Sequence, residues 1–368
     1  MVRYYNYRVL GQDVGVLASK EVVIWGISVS GLEELVHLKS AGVIVKGFTD
    51  SYVSERGNTF ASYPIMTYDE IINETDICIV ISTRNVRYLR DILAKCEKLR
   101  FSNIYAHIFV YGPAEYDITK MCKVVEEESC YIDYVRNHLN DDKSVLTFNN
   151  LLQYRMTNNS RLIEEICEHG HIQYFPGDDI FSKNDSEVFV DAGGYNGDTS
   201  VKFFEWVDSK YKNIYIMEPD PLLFEVSKEY IKLKSIKDVC FVNKGAYSKK
   251  TIISFCSDSD SGSSRIADGG NYKIETITID EMLAGDYATY IKMDIEGAEY
   301  EALLGCDRTI DKFRPKLAIS IYHKEKDLWK IPYYLMKKYP YYKFYIRHYT
   351  DITTETILYA TAGGLEDN

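Results

Sequence analysis

The sequence has no apolar run approaching the roughly 20 residues that a membrane-spanning helix needs, so no membrane span is expected. Cations are the scarcer charge: 43 Lys and Arg stand against 55 Asp and Glu, for a formal net charge of −12. Broad binding to nucleic acid or to an anionic membrane relies on clustered cations, and this balance argues against both. The opening segment, Met1-Val-Arg-Tyr-Tyr-Asn-Tyr7, lacks the apolar centre of a signal peptide. The eight cysteines are scattered with no C-x-x-C pair, which suits reduced side chains better than a disulfide frame. These absences lead to the expectation of a soluble, cytoplasmic protein. No G-K-[ST] follows the glycine-containing stretch from Ser257 to Arg265, which excludes a phosphate-cradling P-loop there. That stretch reads equally as a substrate lid or a plain linker.

What is present is a repeated strand–turn–helix grammar. A length of 368 residues suggests two domains, and a hydrophobic content of 46% gives both a core. In residues 1–112, Glu21-Val-Val-Ile-Trp-Gly26 reads as a strand entering a turn that ends at Gly31, with a helix over 32–40. A second strand from Val43 ends in Asp50, and Ile77–Ser82 is a third, followed by a helix over 86–99. Such alternation implies a parallel, doubly wound sheet. Asp50 would then stand where a ribose-binding acid belongs, but Ser28 occupies the position of the middle glycine of G-x-G-x-x-G. A module kept for packing, dimerisation or recognition is the favoured reading over a bound nucleotide. Ile24-Trp-Gly26 and Gly47-Phe-Thr-Asp50 resemble the small Rossmann-like domains fused to sugar-modifying enzymes.

Residues 113–186 read as a mostly helical connector, with helical patterns around Glu126–Glu128 and from Leu151 to His169. His169-Gly-His-Ile-Gln-Tyr-Phe175 reads as a lead-in strand. Its two histidines have no third ligand at metal-site spacing and suit a surface turn.

The informative half is 187–368. Glu187-Val-Phe-Val-Asp-Ala-Gly-Gly-Tyr-Asn-Gly-Asp198 is a buried strand running into a glycine-rich turn and then a helix. Gly193, Gly194 and Gly197 let the backbone turn sharply and approach a ligand, and Asp191 is expected to face the ligand opening. The next strand, Asn213–Met217, ends in Glu218-Pro-Asp-Pro221, which puts an acid in reach of the two hydroxyls of a ribose. An adenosine-containing cofactor follows from that pairing. Val239–Asn243 is a third strand, and Asn243 with its following backbone is placed to read an adenine edge. Tyr290–Asp294 delivers a carboxylate to the same sheet edge, Glu296 opens a helix, and Pro315–Tyr322 ends in His323. Strands over 342–346 and 356–360 close the sheet around Arg347-His348-Tyr349.

Taken together, Asp191–Thr199, Glu218–Pro221, Thr278-Ile-Asp280, Ile291–Glu299, Arg314-Pro315 and Arg347-His348-Tyr349 resemble the FkbM-type S-adenosylmethionine-dependent methyltransferases. The resemblance covers about half the chain, in the family's order, although Lys244 stands where the family usually has a small residue. It implies a class I methyltransferase fold, an α/β seven-stranded sheet with one antiparallel strand, beside the first Rossmann-like domain. It implies S-adenosylmethionine against Asp191, Gly193, Gly194, Tyr195, Asn196, Gly197 and Asp198, with the ribose on Glu218 and Pro219. Asn243, Gly245 and Ala246 would complete the cofactor contacts, and Asp294 would reach the cofactor's amino group. Asp294, Glu296 and His323 are the catalytic candidates. Neutral His323 suits removal of a proton from an acceptor hydroxyl, and Asp294 suits the same role if partly buried. Asp280, Asp294 and Glu296 are hard oxygen donors, yet nothing in their spacing calls for a metal, and none is expected. The expected activity is O-methylation of a sugar, glycan or nucleotide-linked precursor. The partner is thus a small molecule or glycan, and a homo-oligomer is left open. The alternatives are an NAD(P)-dependent oxidoreductase using the first domain and a non-catalytic cofactor-binding protein.

Overall fold

The computed structural model describes all residues except 1–7, 11–13, 52–58, 75, 84–85, 108–115, 160, 169–172, 259–262, 267–271, 351 and 363–368. The chain divides into two compact units, one of essentially residues 1–110 and one of 111–368.

The first unit holds five parallel strands in the order Arg8–Leu10, Ile104–His107, Cys78–Ile81, Glu21–Trp25, Ile44–Thr49. Helices Val29–Ser40 and Val86–Lys98 alternate with them. Val22–Trp25 and Cys78–Ile81 are wholly buried, as strands covered on both faces require. The glycine fingerprint is satisfied internally. Ser28 caps the first helix by accepting from the Gly31 N–H at 3.4 Å, and Asp50 Oδ2 accepts from the Ile27 N–H at 3.0 Å. A Cβ on Gly31 would fall 2.0 Å from the Gly26 carbonyl oxygen, so that glycine serves the strand–helix junction.

The second unit is built on a seven-stranded sheet. Its order is Val239–Val242, Asn213–Met217, Val188–Ala192, Tyr290–Met293, Lys316–Ser320, Thr356–Ala362, Tyr342–His348. Thr356–Ala362 runs antiparallel to both neighbours, and the other pairs are parallel. The expected one-antiparallel-strand sheet is therefore present. Phe189 and Phe203 stack at 4.3 Å with Tyr290 edge-on at 5.2 Å, so aromatic packing fixes the helix Asp198–Trp206 against the sheet. Asp220 caps the helix Pro221–Leu233 by accepting from the Leu222 and Leu223 N–H groups, with proline at a first-turn position where no donor is needed.

The stretch expected as a connector belongs to this second core. Met121, Ile132, Val135, Phe148, Leu151 and Leu152 pack in one apolar cluster with Ile291, Ile319, Trp329 and Phe344. Its main helix runs over Asp142–Thr157, capped by Asp141, and ends at Asn158 in a left-handed conformation. The sequence places the helix later because Asn149 and Asn150 look like a break. In the fold, Asn150 is buried and donates to the Leu162 carbonyl at 3.0 Å. Of the expected lead-in strand, 169–172 lie outside the described residues, and Gln173-Tyr174 is a turn. The Ser257–Arg265 stretch is largely strand: Thr251–Asp258 pairs antiparallel with Ser263–Ile266, and 259–262 between them lie outside the described residues. Among the described residues no helix is long and apolar enough to cross a membrane.

Two adjacent strands of the large sheet are tied by a buried charge pair. Lys292 Nζ lies 2.9 Å from Asp191 Oδ1, with side-chain exposures of 2% and 0%. Removing one partner strands the other charge in the interior, which typically costs about 3–5 kcal/mol, whereas replacing both can be nearly neutral. Asp191→Ala should lower the urea midpoint accordingly, and Asp191→Ala combined with Lys292→Met should recover much of the loss. Additive losses in the double variant would contradict this account.

A candidate active site at the carboxyl edge of the large sheet

The turn after Val188–Ala192 is shaped by contacts within the chain. Gly193 (φ 79°), Tyr195 (φ 47°) and Gly197 (φ 86°) are left-handed. The Gly193 and Gly194 N–H groups donate to the Met217 carbonyl at 3.0 and 2.9 Å. A Cβ on Gly193 would lie 1.8 Å from the Asp294 carbonyl oxygen, and one on Gly194 would lie 2.3 Å from Ile216 Cγ2. These two glycines therefore let neighbouring strand ends close up, rather than only admitting a ligand.

Asp191 does not face the opening as expected. Its carboxylate is wholly buried, taken up by Lys292 and by the Ser200 hydroxyl, which donates at 2.7 Å. The strand's alternation turns that side chain inward, and Lys292 on the paired strand meets it. Lys292 also donates to the Gly193 carbonyl at 2.6 Å, so the pair props the turn from below.

Glu218 sits where expected, at the tip of Asn213–Met217, and is 6% exposed. One carboxylate oxygen accepts from the Tyr195 N–H and the other from the Asp220 N–H, both at 2.8 Å. Burial pushes this carboxyl up to about 8, against the two backbone donors that favour its charge. Each oxygen keeps a lone pair for a further donor, which fits a pair of hydroxyls. Asn243 is exposed, and its amide donates to the Glu218 and Pro219 carbonyls at 2.8 and 3.3 Å. Gly245 and Ala246 are buried in a short parallel pairing with Thr276-Ile277. Asn196 is buried, and its Oδ1 accepts from the Asp198 N–H at 3.1 Å. Asp198 pairs with Lys202 at 2.7 Å across one helical turn, an ordinary surface pair.

The second corner of the edge gathers Asp294, Glu296, Glu299 and His323. The Asp294 N–H donates to the Ala192 carbonyl at 3.1 Å, which sets it against the glycine turn. Its Oδ2 accepts from the Tyr174 hydroxyl at 2.6 Å and its Oδ1 from the Tyr322 hydroxyl at 3.2 Å. His323 lies among three carboxylates: Nδ1 is 2.8 Å from Glu299 Oε1, and Nε2 is 3.3 Å from Asp294 Oδ1 and 3.6 Å from Glu296 Oε2. Burial alone would lower its pKa, but Glu299 and then Asp294 and Glu296 outweigh it and raise it to about 10. That direction runs against the neutral imidazole expected of a base, because the three carboxylates favour the protonated ring. Asp294 is held below the usual carboxylate range, because His323 and Lys292 overcome the opposing effect of burial. Glu296 is raised to about 7 by burial and by its carboxylate neighbours, although His323 pulls the other way. It also sits at φ 57°, a conformation rare for glutamate.

Tyr174, Tyr322, Glu299 and Glu355 were not among the candidates from sequence. Glu355, whose carboxyl burial raises to about 7, accepts a hydrogen bond from Gln173. Other expected residues fall elsewhere. Asp280 accepts from the Arg308 and Thr309 N–H groups at 3.0 and 2.9 Å and so caps a distant helix. Arg347 is buried on Asp141 at 2.6 Å, and His348 Nδ1 lies 2.8 Å from Thr356 Oγ1, so that motif braces the edge strand.

Two outcomes test this geometry. Gly194→Ala should destabilise the fold, and Ile216→Ala should relieve part of that loss, giving a non-additive double-mutant cycle in denaturant unfolding. Glu218 holds in the folded state a proton that the unfolded chain releases near its ordinary 4.5. Its contribution to stability is therefore present at low pH and lost as pH rises from about 4.5 to 8. The stability difference between wild type and Glu218→Gln, followed by thermal unfolding, should shift against wild type across that window. A flat difference would show that the folded carboxyl is already charged.

Residues 191–348 match the family model described as the methyltransferase FkbM domain. No curated protein matches the chain. Among solved structures, methyltransferase FkbM from Methylobacillus flagellatus KT is similar over 96% of this chain and 94% of its own, at 22% identity and a TM-score of 0.58. That likeness concerns the fold, and it extends over both units. An rRNA methylase from Streptococcus thermophilus aligns over 49% of this chain and 90% of its own, at 14% identity and a TM-score of 0.34. Aeropyrum pernix fibrillarin, with natively bound S-adenosyl-L-methionine, aligns over 49% of this chain and 67% of its own, at 11% identity and a TM-score of 0.33. The second unit of this chain thus contains, over residues 191–348, a region similar to the methyltransferase FkbM domain.

Proposed function

We propose that this chain transfers a methyl group from S-adenosylmethionine to a hydroxyl of a sugar, glycan or nucleotide-linked sugar precursor. The observation that carries the cofactor is Glu218. It is a buried carboxylate at the tip of the second strand of the matched domain, pinned by two backbone N–H groups, with lone pairs left for two hydroxyl donors. S-adenosylmethionine, when bound, supplies an electrophilic methyl group on a sulfonium.

The residues have separable tasks. Glu218 accepts from the ribose hydroxyls, the 193–197 turn backs the cofactor, and Asn243, whose Nδ2 is held by the Glu218 and Pro219 carbonyls, offers its side-chain oxygen to an adenine edge. Asp191 acts from below by holding Lys292 and the turn. Positioning the acceptor oxygen in line with the methyl is worth more to such a displacement than strong acid–base chemistry. Asp294 stands closest to the turn and accepts the acceptor's hydrogen bond. Glu296, the most exposed carboxylate around His323 at 38%, takes the hydroxyl proton. A sugar acceptor is supported by the resemblance of the first unit to domains fused to sugar-modifying enzymes. That unit's Asp50 and Ser28 are engaged in their own turn, which weighs against the oxidoreductase alternative.

Calorimetric titration with S-adenosylmethionine should show one site per chain, weakened by at least ~1.5 kcal/mol in Glu218→Ala, since two ribose donors would draw the carboxyl into its charged form and hydrogen bonds to charged groups are worth about that much. Absence of binding to wild type would refute the reading. With radiolabelled methyl donor and a pool of nucleotide sugars, alkali-stable label is expected, as for an ether. Alkali-labile label would redirect the acceptor to a carboxylate.

A further inference from the structure

We propose that Asp294, Glu299 and His323 form a binding site for a borderline divalent cation such as Mn2+ or Zn2+. The inference concerns the corner assigned above to the acceptor, but it stands without the methyl-transfer reading, and it runs against the expectation from sequence that no metal is held. Each of the three side chains offers one ligand atom, and these atoms lie within 4.8 Å of one another.

A group of acids is common without an ion, so proximity is not the argument. Two buried atoms of this group make no hydrogen bond. Glu299 is fully buried, and its Oε1 accepts from the Ile295 N–H at 2.8 Å, while its Oε2 has no partner. His323 is 10% exposed, and its buried Nδ1 makes an ion-pair contact with Glu299 Oε1 at 2.8 Å but no well-formed hydrogen bond. Buried polar atoms are ordinarily satisfied, and an orphan in a native fold asks for an ion or a water. Here carboxylate oxygens and an imidazole nitrogen converge, and a divalent cation would take the place of the ring proton as the positive charge among them.

The surroundings are those of a supported ligand set. The Tyr174 hydroxyl orients Asp294 at 2.6 Å, and the Ile295 N–H orients Glu299, as outer partners do for metal-binding carboxylates. Lys292, on the strand that leads to Asp294, is already committed to Asp191 and the Gly193 carbonyl. Two carboxylates and a neutral imidazole balance a divalent charge. The imidazole favours Mn2+ or Zn2+ over Ca2+ and Mg2+, which prefer all-oxygen shells. Three protein ligands leave coordination positions for water or an acceptor oxygen.

The test uses the full-length chain, stripped with chelator and without S-adenosylmethionine, so that loss of cofactor binding cannot mask the result. Titration with MnCl2, followed by the electron paramagnetic resonance of free Mn2+, should give one site per chain. Zn2+ should compete for it, and equimolar Mg2+ should not. His323→Gln and Glu299→Gln, checked for folding by circular dichroism, should each weaken binding at least tenfold. In wild type, pulsed resonance of the bound Mn2+ should show one directly coordinated histidine nitrogen, a readout that depends on no variant. Failure of wild type to saturate with Mn2+ or Zn2+ would overturn the proposal. So would bound Mn2+ without nitrogen coupling, or binding that survives both substitutions.

Discussion

The candidate site depends on the closeness of two strand ends. Val188–Ala192 and Tyr290–Met293 run parallel in register, with Asp191 opposite Lys292 and Ala192 opposite Met293. Just beyond them, Gly193 and the Asp294 carbonyl meet where a Cβ would lie only 1.8 Å away. Below that contact the buried Asp191–Lys292 pair clamps the same two strands, and Lys292 reaches up to the Gly193 carbonyl. The turn and the acid-rich corner are thereby one rigid object. A carboxylate delivered by one strand is held at fixed distance from a turn delivered by its neighbour.

The corner itself is governed by an excess of acid. Asp294, Glu296 and Glu299 approach His323, and Glu355 adds its field from the last hairpin. Buried like charges cannot all ionise freely, so the pKa values of Glu296, Glu355 and His323 are all raised. The same imbalance pushes the His323 pKa up to about 10 and that of Glu296 to about 7.

The two units share a grammar but not a site chemistry. In the first, the acid at the second strand tip and the serine of the turn are consumed by the loop's own N–H groups. In the second, the corresponding acid, Glu218, is pinned by two backbone donors, one on each oxygen, and each oxygen keeps further acceptor capacity. Fold alone does not confer function.

Most of the architecture was legible in the residues. Buried strands such as Val188–Val190 and Ile79–Ile81 read as apolar runs, and caps such as Asp220-Pro221 mark helix starts, because these signals are local. Glu218 and Asp294 were legible for the same reason: strand ends announce themselves. The helix over 142–157 was not, because Asn150 looks like a break until its buried partner is known. Nor were the inward turn of Asp191, the raised pKa of His323, or the contacts of Tyr174 and Glu299. Each depends on a charge or donor that arrives from a distant segment, as Tyr174 does for Asp294 across 120 residues. Local pattern sets which elements form and which residues reach the sheet edge. Which of those residues face a ligand, which are buried as pairs and which carry a proton is a property of the assembled field, and only the tertiary structure supplies it.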